Sequence, residues 1–129
     1  MRLIKQKMIY REDLKANPEI LYIFGDNLDR DGYGGQAFHM RGEHNAFGIA
    51  TKRSISHNYP LDYFFDEHSD VIPILKQEFQ RLWDHIAQEG YDTVIVPLDG
   101  IGTGLSKMPE YAPKALEFIN EQIEHLTRL

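Results

Sequence analysis

The 129-residue sequence contains no cysteine. That absence excludes a disulfide framework, a thiolate nucleophile and a cysteine-ligated zinc site. No run approaches the roughly 18 apolar residues of a membrane-spanning helix, so no membrane partner is expected. The N-terminal residues Met1-Arg2-Leu3-Ile4-Lys5-Gln6-Lys7 lack the apolar stretch of a signal peptide, which predicts a cytoplasmic protein. Positive charge is scarce: 14 Lys and Arg stand against 20 Asp and Glu, a net charge of −6. That balance argues against broad nucleic-acid binding, because phosphate backbones attract basic surfaces. It leaves room for a locally basic pocket, for which Thr51-Lys52-Arg53 is the candidate run. Internal repeats, low-complexity tracts and linkers are also missing. The length fits a single domain over residues 1–129, and a hydrophobic fraction of 42% with 26% charged residues fits a soluble globular protein.

The standard phosphate and metal signatures fail as well. No Gly-x-x-x-x-Gly-Lys-Ser/Thr occurs, and Gly100-x-Gly102-x-Gly104 lacks the Gly-x-Gly-x-x-Gly spacing of a dinucleotide fold. Asn27-Leu28-Asp29-Arg30-Asp31-Gly32 opens like a calcium loop, but its twelfth position is Phe38, where a bidentate glutamate is required. The six histidines show no paired spacing on one helix face. Neither a metal nor a cofactor is predicted.

What the chain does have is glycine in two places. Gly25, Gly32, Gly34, Gly35, Gly100, Gly102 and Gly104, seven of its ten glycines, fall in two loops. Each loop leaves an apolar run: Tyr22-Ile23-Phe24-Gly25-Asp26-Asn27 leads into the first, and Val94-Ile95-Val96-Pro97-Leu98-Asp99 into the second. Glycine lets main-chain N–H groups approach and surround an anion, and helix N-termini add a favourable dipole. Two such loops at strand ends imply a split phosphate cradle and a nucleotide-like ligand.

The remaining pattern alternates strands with helices. Residues 2–9, Ile20–Phe24, Ala46–Ala50 and Val94–Leu98 read as strands, with Tyr63–Phe65 as a minor edge strand. Arg11–Asn17 and Gly35–Arg41 read as short helices. Ser69 is placed to cap a long helix over 70–88 whose buried stripe is Leu75, Phe79, Leu82 and Ile86, with Gly90 ending it. Pro109 is placed to open the last helix, with Ala112, Ala115, Leu116, Ile119, Ile123 and Leu126 as its apolar face. Such alternation implies an α/β domain around a mixed sheet, with ligands beyond the strand carboxyl ends.

Three stretches carry a closer likeness. Asn27 stands ten residues before the alanine of Gly34-Gly35-Gln36-Ala37, and Thr103-Gly104-Leu105 runs on to Pro109. Both resemble the ligand loops of macro domains, the ADP-ribose-binding family, over about residues 20–126. Gly102 replaces a serine of the family pattern and Lys107 a later glycine. Ile49-Ala50-Thr51-Lys52-Arg53-Ser54-Ile55-Ser56-His57 resembles the Thr-Lys segment of the terminal ADP-ribose glycohydrolases and DarG-type antitoxins. The resemblance implies a three-layer α/β/α fold with a central mixed sheet, and Lys52 as the catalytic lysine acting at the ADP-ribose C1″ centre. Arg53 is the neighbouring cation that would lower the Lys52 pKa. Ser106 stands where that branch has an aspartate, so the partner carboxylate is missing or moved to Asp26 or Asp99.

The candidate ligand-binding set is therefore Asp26, Asn27, Gly34, Gly35, Gln36, Ala37, Thr51 and Arg53, with Asp99, Gly100, Ile101, Gly102, Thr103, Gly104 and Leu105 from the second loop. Diphosphate would lie between the loops, Asn27 would bond the distal ribose, and Asp26 or Gln36 would orient it. Each residue also has a plain structural role. Asp26 and Asn27 are turn formers, paired glycines permit close packing, Lys52 and Arg53 are ordinary surface charges, Thr103 can bond its own loop, and Tyr33 and Phe47 are core aromatics as readily as stacking platforms. The expected ligand is ADP-ribose or a related NAD-derived nucleotide, free or on a modified protein or nucleic acid. A glycohydrolase, a non-catalytic reader, an ADP-ribose-phosphate phosphohydrolase and a purely structural domain all remain compatible with these residues.

Overall fold

The computed structural model describes residues 1–129. Four strands, β1 (Arg2–Gln6), β2 (Leu21–Asn27), β3 (Ala46–Lys52) and β4 (Thr93–Pro97), form one sheet in the order β1-β4-β2-β3. All three pairings are parallel, which corrects the expected mixed sheet. The candidate edge strand Tyr63–Phe65 is not a strand. Tyr63 and Phe64 are buried, and the backbone there is engaged by Arg53, whose N–H donates to Asp62 O and whose Nε donates to Tyr63 O. No ladder forms where those carbonyls are already occupied.

The two central strands, β2 and β4, are apolar on both sides because helices cover both. Leu21, Ile23, Val94 and Val96 pack against α3 (Val71–Glu89) and α5 (Pro113–His125), and Tyr22, Phe24 and Ile95 face α1 (Arg11–Ala16) and α2 (Ala37–Met40). This is the arrangement that a parallel sheet requires. The α3 stripe of Leu75, Phe79, Leu82 and Ile86 is buried as expected, and Gly90 ends the helix at φ 75° with its N–H on Ile86 O.

Both expected helix starts differ in detail. Asp70, not Ser69, occupies the cap of α3, and it makes no side-chain cap bond because its carboxylate takes two 2.8 Å bonds from Arg53. Pro109 lies in a separate single turn, α4 (Met108–Tyr111), and Pro113 opens α5. The residue before a proline is driven from helical angles, and Ala112 sits at φ −145°, ψ 58°. Asp66 then supplies the missing acceptor, taking the N–H groups of Lys114 and Ala115. Of the expected apolar face, Ala112, Ala115, Ile119, Ile123 and Leu126 are buried and Leu116 is half-buried.

β3 lies at the sheet edge, and α3 closes it. Glu78 Oε1 accepts from Ala50 N at 2.7 Å, and Arg81 donates to Gly48 O. Edge groups left open would invite pairing with another chain. Near its carboxyl end β3 carries one extra residue: Asp26 pairs with Ala50 but Asn27 with Lys52, leaving Thr51 as a bulge.

Candidate functional site

Beyond the carboxyl ends of β2, β3 and β4 lies a cavity of about 350 Å³. Regular alternation would send one of Thr51 and Lys52 away from it, but the bulge brings both to its wall. Asp26 and Asn27 reach it from β2, Gly34, Gly35, Gln36 and Ala37 from the first glycine loop, and Asp99, Gly102, Thr103, Gly104 and Leu105 from the second. Three members of the sequence-derived set lie elsewhere. Ile101 is fully buried in the core, Gly100, at φ 81°, is not among the cavity residues, and Arg53 turns to Asp70 and the Phe64 ring.

Gln36 is a strut between the loops. Its Oε1 accepts from Gly25 N at 3.0 Å and its Nε2 donates to Gly100 O at 3.3 Å. These bonds fix the end of β2 against the second loop. Gln36 also lines the cavity itself. Asp26 is likewise engaged: Arg41 forms an ion pair with it, and Asn27 N donates to its Oδ1 at 2.8 Å. Gly48 has to be glycine here, since a Cβ would collide with the Asp26 carboxylate. Thr103 Oγ1 reaches only the carbonyl of Asp99 in its own loop, at 3.4 Å.

Two features leave the cavity ready for a polar guest. Asn27 Nδ2 donates to Asp31 O at 2.8 Å, while its Oδ1 is buried without a partner. A buried acceptor without a donor carries a real cost. In addition, the main-chain N–H groups of Gly34 through Ala37 and of Gly102 through Ser106 donate to no protein acceptor. Gly102 adopts φ 84° and packs so that a Cβ would strike Met108 Sδ at 2.7 Å. Only glycine permits that path.

Lys52 is 4% exposed. Its Nζ donates to Ser54 O at 2.7 Å and to Ser56 O, and stands 3.3 Å from His57 Nδ1, with the Tyr63 ring centroid 5.3 Å away. Burial lowers its pKa, and the charges of Asp62 and Asp29 partly oppose the shift. The cause is thus desolvation and not Arg53, whose guanidinium is held by Asp70. No carboxylate touches the amine. Ser106, in the position of the expected aspartate, is 2.5 Å from Thr51 Oγ1, and both hydroxyls are buried.

The structure adds wall residues that the sequence did not single out: Arg41, Asp31, His57 and Ile55. His57 was within reach, being five residues beyond Lys52 in the same loop. Arg41 had no sequence signal, because its place depends on α2 ending beside Asp26. Tyr33 stands 61% exposed at the cavity, whereas Phe47 is a core residue with Arg81 stacked 4.1 Å from its centroid. No group of three or more His, Asp or Glu side chains is placed to hold a metal ion, and no helix is long and apolar enough to cross a membrane.

Among curated proteins and among solved structures, no match was found. A family model does match, described as a family of unknown function (DUF7831) and covering residues 4–122, nearly the whole chain. The chain belongs to the DUF7831 family.

Proposed function

We propose that the cavity binds ADP-ribose or a closely related NAD-derived nucleotide, in a three-layer fold of macro-domain type. The observation that carries the reading is the pair of unbonded N–H runs, Gly34–Ala37 and Gly102–Ser106, on two loops that wall one cavity. Such runs suit a diphosphate, whose oxygens need several donors in a water-poor cradle. Asn27 suits a ribose hydroxyl, which would supply the donor that its Oδ1 lacks. The likeness of both loops to macro-domain ligand loops narrows the anion to this class.

A second reading adds chemistry at the same place. The buried Lys52 amine, with its lowered pKa, favours hydrolytic removal of ADP-ribose from a modified protein or nucleic acid. A non-catalytic reader would use the same contacts without turnover.

The test is calorimetric titration with ADP-ribose, alongside thermal unfolding. Ligand that binds only the folded state at 100 times Kd stabilises it by about 2.7 kcal/mol. Gly104 has no left-handed φ and a Cβ there meets nothing within 4 Å. Gly104→Val should therefore fold normally, obstruct the cavity and weaken ADP-ribose binding at least tenfold. No heat and no thermal shift with ADP-ribose, NAD, ADP or AMP would refute the binding reading. Release of free ADP-ribose from ADP-ribosylated protein or DNA, lost in Lys52→Ala, would establish the enzyme over the reader.

A further inference from the structure

Behind the Asp26–Arg41 ion pair lies a second cavity of about 200 Å³. It shares only those two residues with the larger one. Three guanidinium groups reach it, from Arg30 after β2, Arg41 after α2 and Arg81 on α3. Their counter-charges do not go round. Asp26 serves Arg41, and Glu43 is held by Arg11 at 3.0 Å. Glu78 alone answers two cations: it receives two hydrogen bonds from Arg30 and a long one, 3.5 Å, from Arg81 Nη2, while Arg81 Nε stands 3.4 Å from its Oε2. Four arginines against three carboxylates leave one positive charge in excess, within a protein of net charge −6.

Arg81 bears that excess. Its Nε is buried with no hydrogen-bond partner, and its Nη1 donates to nothing in the protein. Burial lowers its pKa, the charge of Glu78 opposes the shift, and the charge of Arg30 adds to it. Gly42, at φ 98°, leaves its side of the cavity open, with nothing within 4 Å of where a Cβ would stand. A guanidinium presents its N–H groups in a planar fork that matches the oxygens of phosphate and carboxylate.

The geometry points to a second oxyanion site, in which Arg81 and Arg30 take a phosphate or carboxylate group apart from the nucleotide cavity. Nothing in this assignment depends on the ligand of the larger cavity. Arg81 does not touch that cavity, so phosphate entering there disturbs the Thr103 and Gly104 amides and not the Arg81 side chain.

The test is a titration of the unmodified protein with sodium phosphate, and separately with sodium acetate, against sodium chloride at matched ionic strength. The readout is the arginine Nε–Hε resonances in nitrogen-15 spectra. Saturable movement of the Arg81 resonance in the millimolar range is expected with one or both oxyanions and not with chloride. The arm that saturates at lower concentration identifies the ligand class. Arg81→Gln should abolish the saturable response at Arg30, and Arg30→Gln should weaken it at Arg81 at least tenfold by removing the excess charge. Movement that is linear in concentration and equal for chloride would overturn the proposal, as would an Arg30 response unchanged in Arg81→Gln.

Discussion

Lys52 and Arg53 follow each other in the chain and part at the end of β3: one ammonium enters the cavity wall, the other cation leaves for Asp70. A run of two basic residues is visible in sequence, but which one is desolvated is not. That depends on the bulge at Thr51 and on the loop carbonyls of Ser54 and Ser56 closing over Nζ. The consequence is measurable. Because burial holds the Lys52 pKa below the ordinary 10.5, the folded state carries fewer protons at this site than the unfolded chain as pH approaches that value. Its contribution to stability therefore rises with pH in that window. Urea unfolding of the native protein and of Lys52→Met should show a stability difference that shifts toward the native protein as the solution becomes more alkaline. The raised tyrosine pKa values of Tyr22 and Tyr91 are common to both proteins and cancel. A difference independent of pH would show that Lys52 is not desolvated.

Among the elements, helices and strands were legible wherever one local signal dominated. The α3 stripe, the Gly90 stop and the apolar run of β4 are examples, since spacing and glycine act within a few residues. Strand direction was not legible, because it is set by crossovers tens of residues long. The cap of α3 follows the same rule, since Arg53, distant in sequence, takes the Asp70 carboxylate; the opening of α5 is set locally by Pro113, with Asp66 supplying the acceptor. The α3–β3 contact belongs to this class too. Burial works to raise the Glu78 pKa, but the hydrogen bonds from Arg30 and Ala50 N–H and the charges of Arg81 and Arg30 outweigh it, leaving it below 4.5. A carboxylate so held contributes stability above its unfolded pKa and loses it as pH falls through the folded value. Glu78→Gln should cost about 2 kcal/mol at neutral pH and should flatten the loss of stability below pH 4.5 in denaturant titrations. Acid sensitivity identical to that of the native protein would show that the edge is not held by this charge.

At the scale of the molecule, the site is built by two halves of the chain. Gly34–Ala37, from the first half, and Gly102–Leu105, from the second, line one cavity. What joins them is β4, the last strand in sequence, lying between β1 and β2. Without it neither core is complete, since Val94 and Val96 fill one and Ile95 the other. A fragment of residues 1–69 should therefore lack cooperative unfolding and amide protection. Mixing it with residues 70–129 should restore both, and a fragment that melts cooperatively alone would contradict this account. The same placement bears on assembly in a crowded solution. Until Thr93–Pro97 arrives, β1 and β2 each present unpaired main-chain N–H and C=O groups to the slot between them. The matching strand of any other copy has the same sequence and fits that slot equally well. Exchange of the C-terminal segment between molecules, and aggregation through the open slot, are thus the characteristic errors of this topology.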